Sequence, residues 1–388
     1  MILYPILILL GLCAVGADMH HYRRLLREGA SKRRRRLFVA WAALTDALPL
    51  LAAVVGMMLY DNSTTYILWS MWMFWAWMTA VFPRICFFFF NALHLPRVGI
   101  VLGGAIAFLL IWGATAGRTM LRIERVGICS ERLPAAFDGL RIVHLSDLHL
   151  GVLLRPASEL QRLVDSVNRL NPDLILFTGD LVNIRSTELN DTTMKALQRF
   201  QAPVYSVTGN HDVGSYIKDT LALSPARSLA QVIERQEQMG WQVLQDTTLY
   251  LHRAGDSISL TGISFDPSLR WLRHSSELSS PAVETAYENV PEELFNITAV
   301  HLPQLWEQIV EAGYGDLTLA GHTHSMQMKI KLFGRQWSPA AWLYPRWSGR
   351  YDNEGKTLYI NDGVGSVGYP LRLGARPEIT LIILRRCS

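Results

Sequence analysis

The chain is 388 residues long, with half of its residues hydrophobic, 18% charged, 28 glycines, 4 cysteines and a formal net charge of +4. A mean hydropathy of +0.16 sets it apart from an ordinary soluble enzyme, and the apolar excess lies before Arg118. The pI of 8.9 is a local matter: the charge is +6 up to Arg36 and therefore −2 beyond it, which argues against a nucleic-acid groove in the remainder, and so few cysteines exclude a disulfide-rich framework.

In chain order, Met1 to Ala17, Leu37 to Tyr60, Thr65 to Phe90 and Val98 to Gly117 are apolar runs of roughly the 17 to 25 residues that cross a bilayer. They predict a four-helix transmembrane region over 1–117. The first run is followed by its positive charge, Arg23, Arg24, Arg27 and Lys32 to Arg36, which favours an uncleaved anchor over a signal peptide. Those residues make the loop 18–36 cytoplasmic. Asp61 to Thr64 then lies outside, Asn91 to Arg97 inside, and the domain after Gly117 on the outer, periplasmic side of an inner (plasma) membrane. Arg118, Arg122 and Arg125 oppose this and are outnumbered.

Asp46 and Arg84 are charges within spans, both about 12 Å from the cytoplasmic end of their helix; either they pair or each snorkels to the interface. Trp69, Trp72, Trp75 and Trp77 form an interfacial belt or a substrate surface. Gly99-x-x-x-Gly103 and Gly113-x-x-x-Gly117 let helices approach closely, within the bundle or in a dimer.

From Met120 onward strands alternate with helices. Strands are expected at Ile123 to Cys129, Leu140 to Ser146, Leu174 to Thr178, Val204 to Val207, Thr247 to Leu251, Ser257 to Ile263, Asn296 to Val300, Leu317 to Ala320, Leu358 to Ile360 and Glu378 to Leu384. Helices are expected at Pro156 to Leu170, Thr192 to Phe200, before Gly240 and at Pro303 to Ala312. The fold class is α/β, a two-sheet β-sandwich flanked by helices, occupying 118–388. Cys13 and Cys86 fall in spans. Cys129 and Cys387 lie near the two ends of the soluble domain, on segments that both read as strands, and bridge if those strands are neighbours and the domain is outside, or remain two thiols.

Polar clusters sit where strands end, the place where open α/β sheets collect ligands. They are Asp147-Leu148-His149, Gly179-Asp180, Gly209-Asn210-His211-Asp212, His301 and Gly321-His322-Thr323-His324. Asp147 and His149, two apart on an extended chain, reach one metal ion from the same face. Donors that are nitrogen and oxygen without thiolate suit Mn, Fe or Zn better than Ca or Mg. His144 points to the opposite face as a core or supporting residue. His20, His21, His94, His252 and His274 are assigned no role.

This order of motifs resembles the calcineurin-like metallophosphoesterase superfamily from Leu140 to the C-terminus. Asn171-Pro172-Asp173, Ala320-Gly321-His322 and Arg376-Pro377-Glu378-Ile379-Thr380 further resemble its membrane-attached bacterial phosphodiesterase branch. The resemblance implies two divalent metal ions: Asp147, His149 and His324 on the first, Asn210, His301 and His322 on the second, and Asp180 bridging. It implies that His211 faces the phosphate without being a ligand, with Asp212 orienting it or supporting its charge. Two such ions about 3.5 to 4 Å apart clamp a phosphate and generate hydroxide for in-line attack. One departure is Ser325-Met326-Gln327, where the branch has Gly-Gly-Gln.

Beyond it, Leu332-Phe333-Gly334-Arg335-Gln336-Trp337, Trp342-Leu343-Tyr344-Pro345-Arg346-Trp347 and Arg350-Tyr351 alternate aromatics with arginines, as a lipid-facing stretch or an ordinary packed loop. The expected function is a membrane-anchored phosphohydrolase acting outside the cytoplasm on a phosphoester, a lipid or envelope phosphodiester. The alternatives are a cytoplasm-facing pyrophosphatase for nucleotide-linked lipids, and a non-catalytic membrane sensor that binds a phosphorylated ligand.

Overall fold

The computed structural model describes residues 3–58, 64–271 and 278–387. The chain divides into two compact units, 1–117 with 368–371, and 118–367 with 372–388.

The first unit holds α1 (Leu3–Arg27), α2 (Lys32–Met58), α3 (Thr64–Ala92) and α4 (Pro96–Trp112), the last running into a π turn at Gly113–Gly117. Among the described residues two of these, Thr64–Ala92 and Pro96–Gly117, are long and apolar enough to cross a membrane, which corrects the expectation of four. Charge flanks the first apolar run and interrupts the second. α1 carries Asp18, Arg23, Arg24 and Arg27, and α2 opens on five basic residues and contains Asp46. The end of the second apolar run, Leu59 and Tyr60, and residues 61–63 of the following loop lie outside the described residues.

Arg84 of α3 is buried and ion-paired with Asp46 of α2, so the pairing alternative holds. It also reaches Asp18 of α1 at 3.0 Å and Thr45 Oγ1 at 3.1 Å. A guanidinium carries five donors, so one arginine can serve three helices. A Cβ on Gly103 would lie 2.9 Å from Pro83 O, and one on Gly99 3.0 Å from Phe87 O. That pair of glycines therefore serves the α3–α4 contact within the chain. Trp75 Nε1 donates to Leu110 O at 3.0 Å and Trp77 is buried, so two of the four tryptophans are used inside the unit.

The second unit contains, in chain order, β1 (Arg122–Ser130), β2 (Arg141–Leu145), α5 (Pro156–Asn168), β3 (Leu174–Phe177), α6 (Asp191–Leu197), β4 (Val204–Ser206), α7 (Pro225–Gln238) and β5 (Gln242–Val243). There follow β6 (Thr247–Arg253), β7 (Asp256–Ile263), α8 (Pro281–Ala286), β8 (Asn296–Val300), α9 (Trp306–Glu311) and β9 (Leu317–Ala320). The unit ends with β10 (Ile330–Leu332), β11 (Arg335–Trp337), β12 (Gly349–Asn353), β13 (Lys356–Ile360) and β14 (Glu378–Arg386). One sheet has the order β1-β14-β2-β3-β4-β5 and the other β12-β13-β9-β8-β7-β6, while β10 and β11 pair only with each other. In the first sheet β2 to β5 run parallel, and in the second β7, β8, β9 and β13 do.

Side-chain alternation decides the layering. Ile142, Leu174 and Leu176 face inward onto Ile258, Leu260, Ile297 and Leu319 of the other sheet. The alternate residues Val143, Leu145, Ile175 and Phe177 turn outward under Leu160, Leu163 and Val232 of the helices. Trp306 and Ile309 of α9 and Val283 of α8 cover the far side of the second sheet. The expected sandwich is thus observed, with β5, β12 and the β10–β11 hairpin as additions. His252 is on a strand and His274 lies outside the described residues.

Candidate metal centre

Five strands deliver the site from their C-terminal ends: β2 leads into 147–149, β3 into Asp180, β4 into 209–212, β8 into His301 and β9 into 321–324. The side chains meet because β2, β3 and β4 run parallel in one sheet and β8 and β9 in the other. The local path is not the extended one expected for Asp147 and His149. β2 ends at Leu145, and Asp147 (φ 54°) and His149 (φ 46°) are both left-handed, as are Asp180, His322 and His324. The pair converges through two tight turns of the backbone rather than through strand alternation. Such conformations cost ~1–3 kcal/mol each and gather at functional sites.

Asp147, His149, Asp180, Asn210, His301 and His324 are all buried, and His322 and His211 are half-buried. Three groups have donor atoms close enough to hold a metal ion: Asp147 with His149 and His324, Asp180 with His301 and His322, and His149 with Asp180 and His211. His324 Nε2 stands 3.1 Å from Asp147 Oδ1 and 3.1 Å from His149 Nε2. On the other side, His301 Nε2 lies 3.0 Å from Asn210 Oδ1, 3.3 Å from Asp180 Oδ2 and 3.2 Å from His322 Nδ1. Asp180 Oδ2 is also 3.7 Å from His149 Nε2, so this carboxylate faces both groups.

Divalent metal fits these residues on their own chemistry. His301 Nδ1 is 2.8 Å from Thr178 O, a carbonyl that can only accept, so the proton of a neutral ring sits there and Nε2 is a bare lone pair. It points at a carboxylate oxygen and an amide oxygen, and lone pairs so crowded call for a cation between them. Without one, the pull is toward an imidazolium: burial favours the neutral His301 ring, but Asp180 and Asp147 outweigh it and raise its pKa to about 9. Burial likewise works against ionising Asp147 and Asp180, and the imidazoles around them outweigh it and hold both well below the usual carboxylate range.

Glycine is required where the loops touch. A Cβ on Gly321 would sit 1.9 Å from Ser146 Oγ and 2.4 Å from Asp147 Oδ2, and one on Gly209 would sit 2.2 Å from Asp180 Oδ1. The Asp212 carboxylate accepts from the backbone N–H of Asp180 (2.8 Å), Gly209 (2.9 Å) and Val182 (3.0 Å), tying the β3 and β4 loops together. The His211 ring is held instead by Asn183 O, 2.5 Å from Nδ1, and by stacking on Tyr216 at 4.3 Å. His144 belongs to the core, with Nε2 2.9 Å from Thr178 Oγ1 and its ring edge-on to Tyr359.

Three supporting residues escaped the sequence reading. Tyr216 OH accepts from Asn210 Nδ2 at 2.9 Å and so turns Asn210 Oδ1 toward His301. Tyr344 OH lies 3.3 Å from His322 Nε2. Arg372, fully buried and bound to the carbonyls of Asp362, Gly365 and Ala375, places Nη2 3.2 Å from His324 Nδ1. Tyr344 stood in the aromatic stretch, but nothing in sequence ties Tyr216 or Arg372 to the site.

A two-sheet sandwich with imidazoles and carboxylates gathered at its strand ends defines a class, the α/β proteins with a strand-end site fit for metal. The model of the calcineurin-like phosphoesterase family matches residues 140–326. A zebrafish transmembrane protein with metallophosphoesterase domain is 31% identical over 72% of this chain and 61% of its own length. A probable cyclic nucleotide phosphodiesterase of Moraxella catarrhalis is 30% identical over 48% of this chain and 71% of its own. The UDP-2,3-diacylglucosamine pyrophosphatase LpxG of Chlamydia muridarum is 24% identical over 70% and 92%. The chain belongs to the calcineurin-like phosphoesterase family. Its two apolar helices and the naming of relatives as transmembrane proteins associate it with a membrane. It spans less than two thirds of the zebrafish protein's length.

Proposed function

We propose that this chain is a multi-pass, membrane-anchored, dinuclear phosphohydrolase whose catalytic unit, 118–388, lies outside the cytoplasm and cleaves a lipid or envelope phosphodiester. The observation that carries the reading is the pair of donor groups facing a shared Asp180 carboxylate. Asp147, His149 and His324 would hold one ion, Asn210, His301 and His322 the other, and Asp180 both. Bound there, two divalent ions (Mn, Fe or Zn) would lower the pKa of a water and offset charge on the phosphoryl oxygens.

The chain's own residues do the rest. His211 has Nδ1 fixed as a donor by Asn183 O, so Nε2 donates to a phosphoryl oxygen or gives a proton to the leaving oxygen only as an imidazolium, a form that burial disfavours and the Asp180 carboxylate favours. Asp212 keeps the Asp180 and Asn210 loops in register through backbone hydrogen bonds. The outer location is supported by the Cys129–Cys387 bridge, since disulfides persist in oxidising compartments, whereas two crossings by α3 and α4 alone would return the chain to the side of the basic loop 18–36 and favour the second reading below.

Purified full-length protein loaded with Mn, Fe or Zn is expected to hydrolyse bis-p-nitrophenyl phosphate, and Asp180→Ala to lose the activity. A metal-loaded chain inert toward both phosphodiesters and phosphomonoesters would falsify the proposal. The named activity of the Chlamydia relative favours a second reading, a cytoplasm-facing pyrophosphatase of nucleotide-linked lipids. Reporter fusions after Gly117 separate the two, because activity confined to the cytoplasm belongs to the second.

A further inference from the structure

The segment that follows the left-handed run at 324–327 is unusual for a soluble surface. β10 and β11 are joined by Phe333 (φ 49°) and Gly334 (φ 78°), a two-residue hairpin turn, and among the described residues pair with no other strand. A two-stranded ribbon alone in water is marginal and needs a partner for its apolar side chains. Here Leu332 is exposed and Phe333 is fully so. Trp337 and Trp342 meet edge to face at 5.4 Å, and Trp342 is still 75% exposed.

Its charges are of one sign. Residues 328–351 include five Lys or Arg and no Asp or Glu. Lys329, Arg346 and Arg350 are each paired with a carboxylate outside the segment. Lys331 and Arg335, on the hairpin itself, are exposed and have no partner among the described residues. Uncovered aromatics interleaved with unpaired cations match the headgroup and acyl boundary of an anionic bilayer. Only residues 118–121 separate the last membrane-crossing candidate from β1, so a bilayer is tethered to this unit by covalent connection. A protein partner would have to supply both the apolar contact and the anionic complement, which a membrane surface offers already.

The base of the segment is tied to the metal-centre loop. Ser338 Oγ donates to Ser325 O at 2.6 Å, Thr323 Oγ1 donates to Trp347 O at 2.6 Å, and Tyr344 OH meets His322.

We infer that the β10–β11 hairpin with Trp342 is a lipid-surface contact that holds the strand-end site beside the headgroups of an anionic leaflet. This deepens the lipid reading of the proposed function and rests on it.

The test uses the full chain in nanodiscs of phosphatidylglycerol and phosphatidylethanolamine, with Cys13 and Cys86 replaced by alanine. A bimane label is attached through Phe333→Cys or, as an exposed polar control on α7, Glu237→Cys. With brominated lipid, emission is expected to fall at 333 and not at 237, and to fall less in phosphatidylcholine discs. Equal emission in brominated and plain discs at 333 overturns the inference. So does a label shielded from aqueous iodide yet untouched by brominated lipid, which would mean that protein covers the hairpin. The readout needs no turnover, so a chain inert toward every phosphoester would sink the proposed function and leave this result standing.

Discussion

Ser325 and Met326 occupy left-handed backbone (φ 51° and 42°) immediately after His324, at the two positions where the branch it resembles has glycine. Larger residues here therefore hold a backbone conformation that glycine adopts without steric cost. A non-glycine residue there costs ~1–2 kcal/mol, against ~0.4–1 kcal/mol that glycine forfeits through its freer unfolded chain. Met326→Gly should consequently stabilise the second unit by up to ~1 kcal/mol, read as a higher thermal midpoint of the detergent-solubilised protein. Ser325→Gly should not, because Ser325 Oγ donates to Asp362 Oδ1 at 2.5 Å and that bond is lost with the hydroxyl. At this scale the sequence was informative about residue types and silent about paths. Ligand chemistry restricts the donors to Asp, Asn and His and demands glycine where loops touch, so the clusters around Asp147, Asp180, Asn210, His301 and His322 could be read directly. The turns that bring Asp147 and His149 together, and the contacts of Tyr216 and Arg372, exist only once distant segments have met.

Among the elements, β14 shows how a strand can carry polar cost inside a sandwich. Glu378 is buried, with Tyr359 and Thr380 hydroxyls donating to Oε1 at 2.7 Å each. Burial, reinforced by the Asp362 charge, pushes its carboxyl up to about 7 from an ordinary 4.5. Between those two values the folded protein keeps a proton that the unfolded chain has released. Stability from this group is thus complete below pH 4.5 and is lost as pH rises through 7, by on the order of 3 kcal/mol. Glu378→Gln, neutral at every pH, should melt progressively higher relative to the parent as pH goes from 5 to 8. A constant gap across that range would show that Glu378 does not titrate there. The long elements were legible because periodicity and β-branched content mark them. β5, β12 and the hairpin were missed, since edge pieces of two to five residues with mostly exposed side chains carry no apolar period. The sequence offered Asp46 and Arg84 only as charges that pair or snorkel apart; that they pair, and that Asp18 of α1 joins them, depends on how the helices meet.

For the molecule as a whole, the Cys129–Cys387 bridge joins the edge strand β1 to the end of β14 across a sequence separation of 258. Closing so long a loop restricts the unfolded chain, so Cys129→Ser with Cys387→Ser should cost ~2–5 kcal/mol. The parent treated with reductant should melt at the same temperature as the double variant; a parent unaffected by reductant would mean that the thiols are free. The sequence could offer the bridge only as one alternative, because the pairing depends on β1 and β14 being parallel neighbours, with Cys129 opposite Arg385.

The place of β14 has a consequence for how the protein is made. It lies between β1 and β2, separated from the latter in sequence by all of residues 146–377. Chains emerge from the ribosome N-terminus first, so the first sheet keeps an open slot until residue 386 has been delivered. The second sheet, which needs nothing beyond β13, can be completed before the first. The strand that closes the first sheet and the cysteine that closes the bridge are thus delivered together, after all five strand-end clusters have been made.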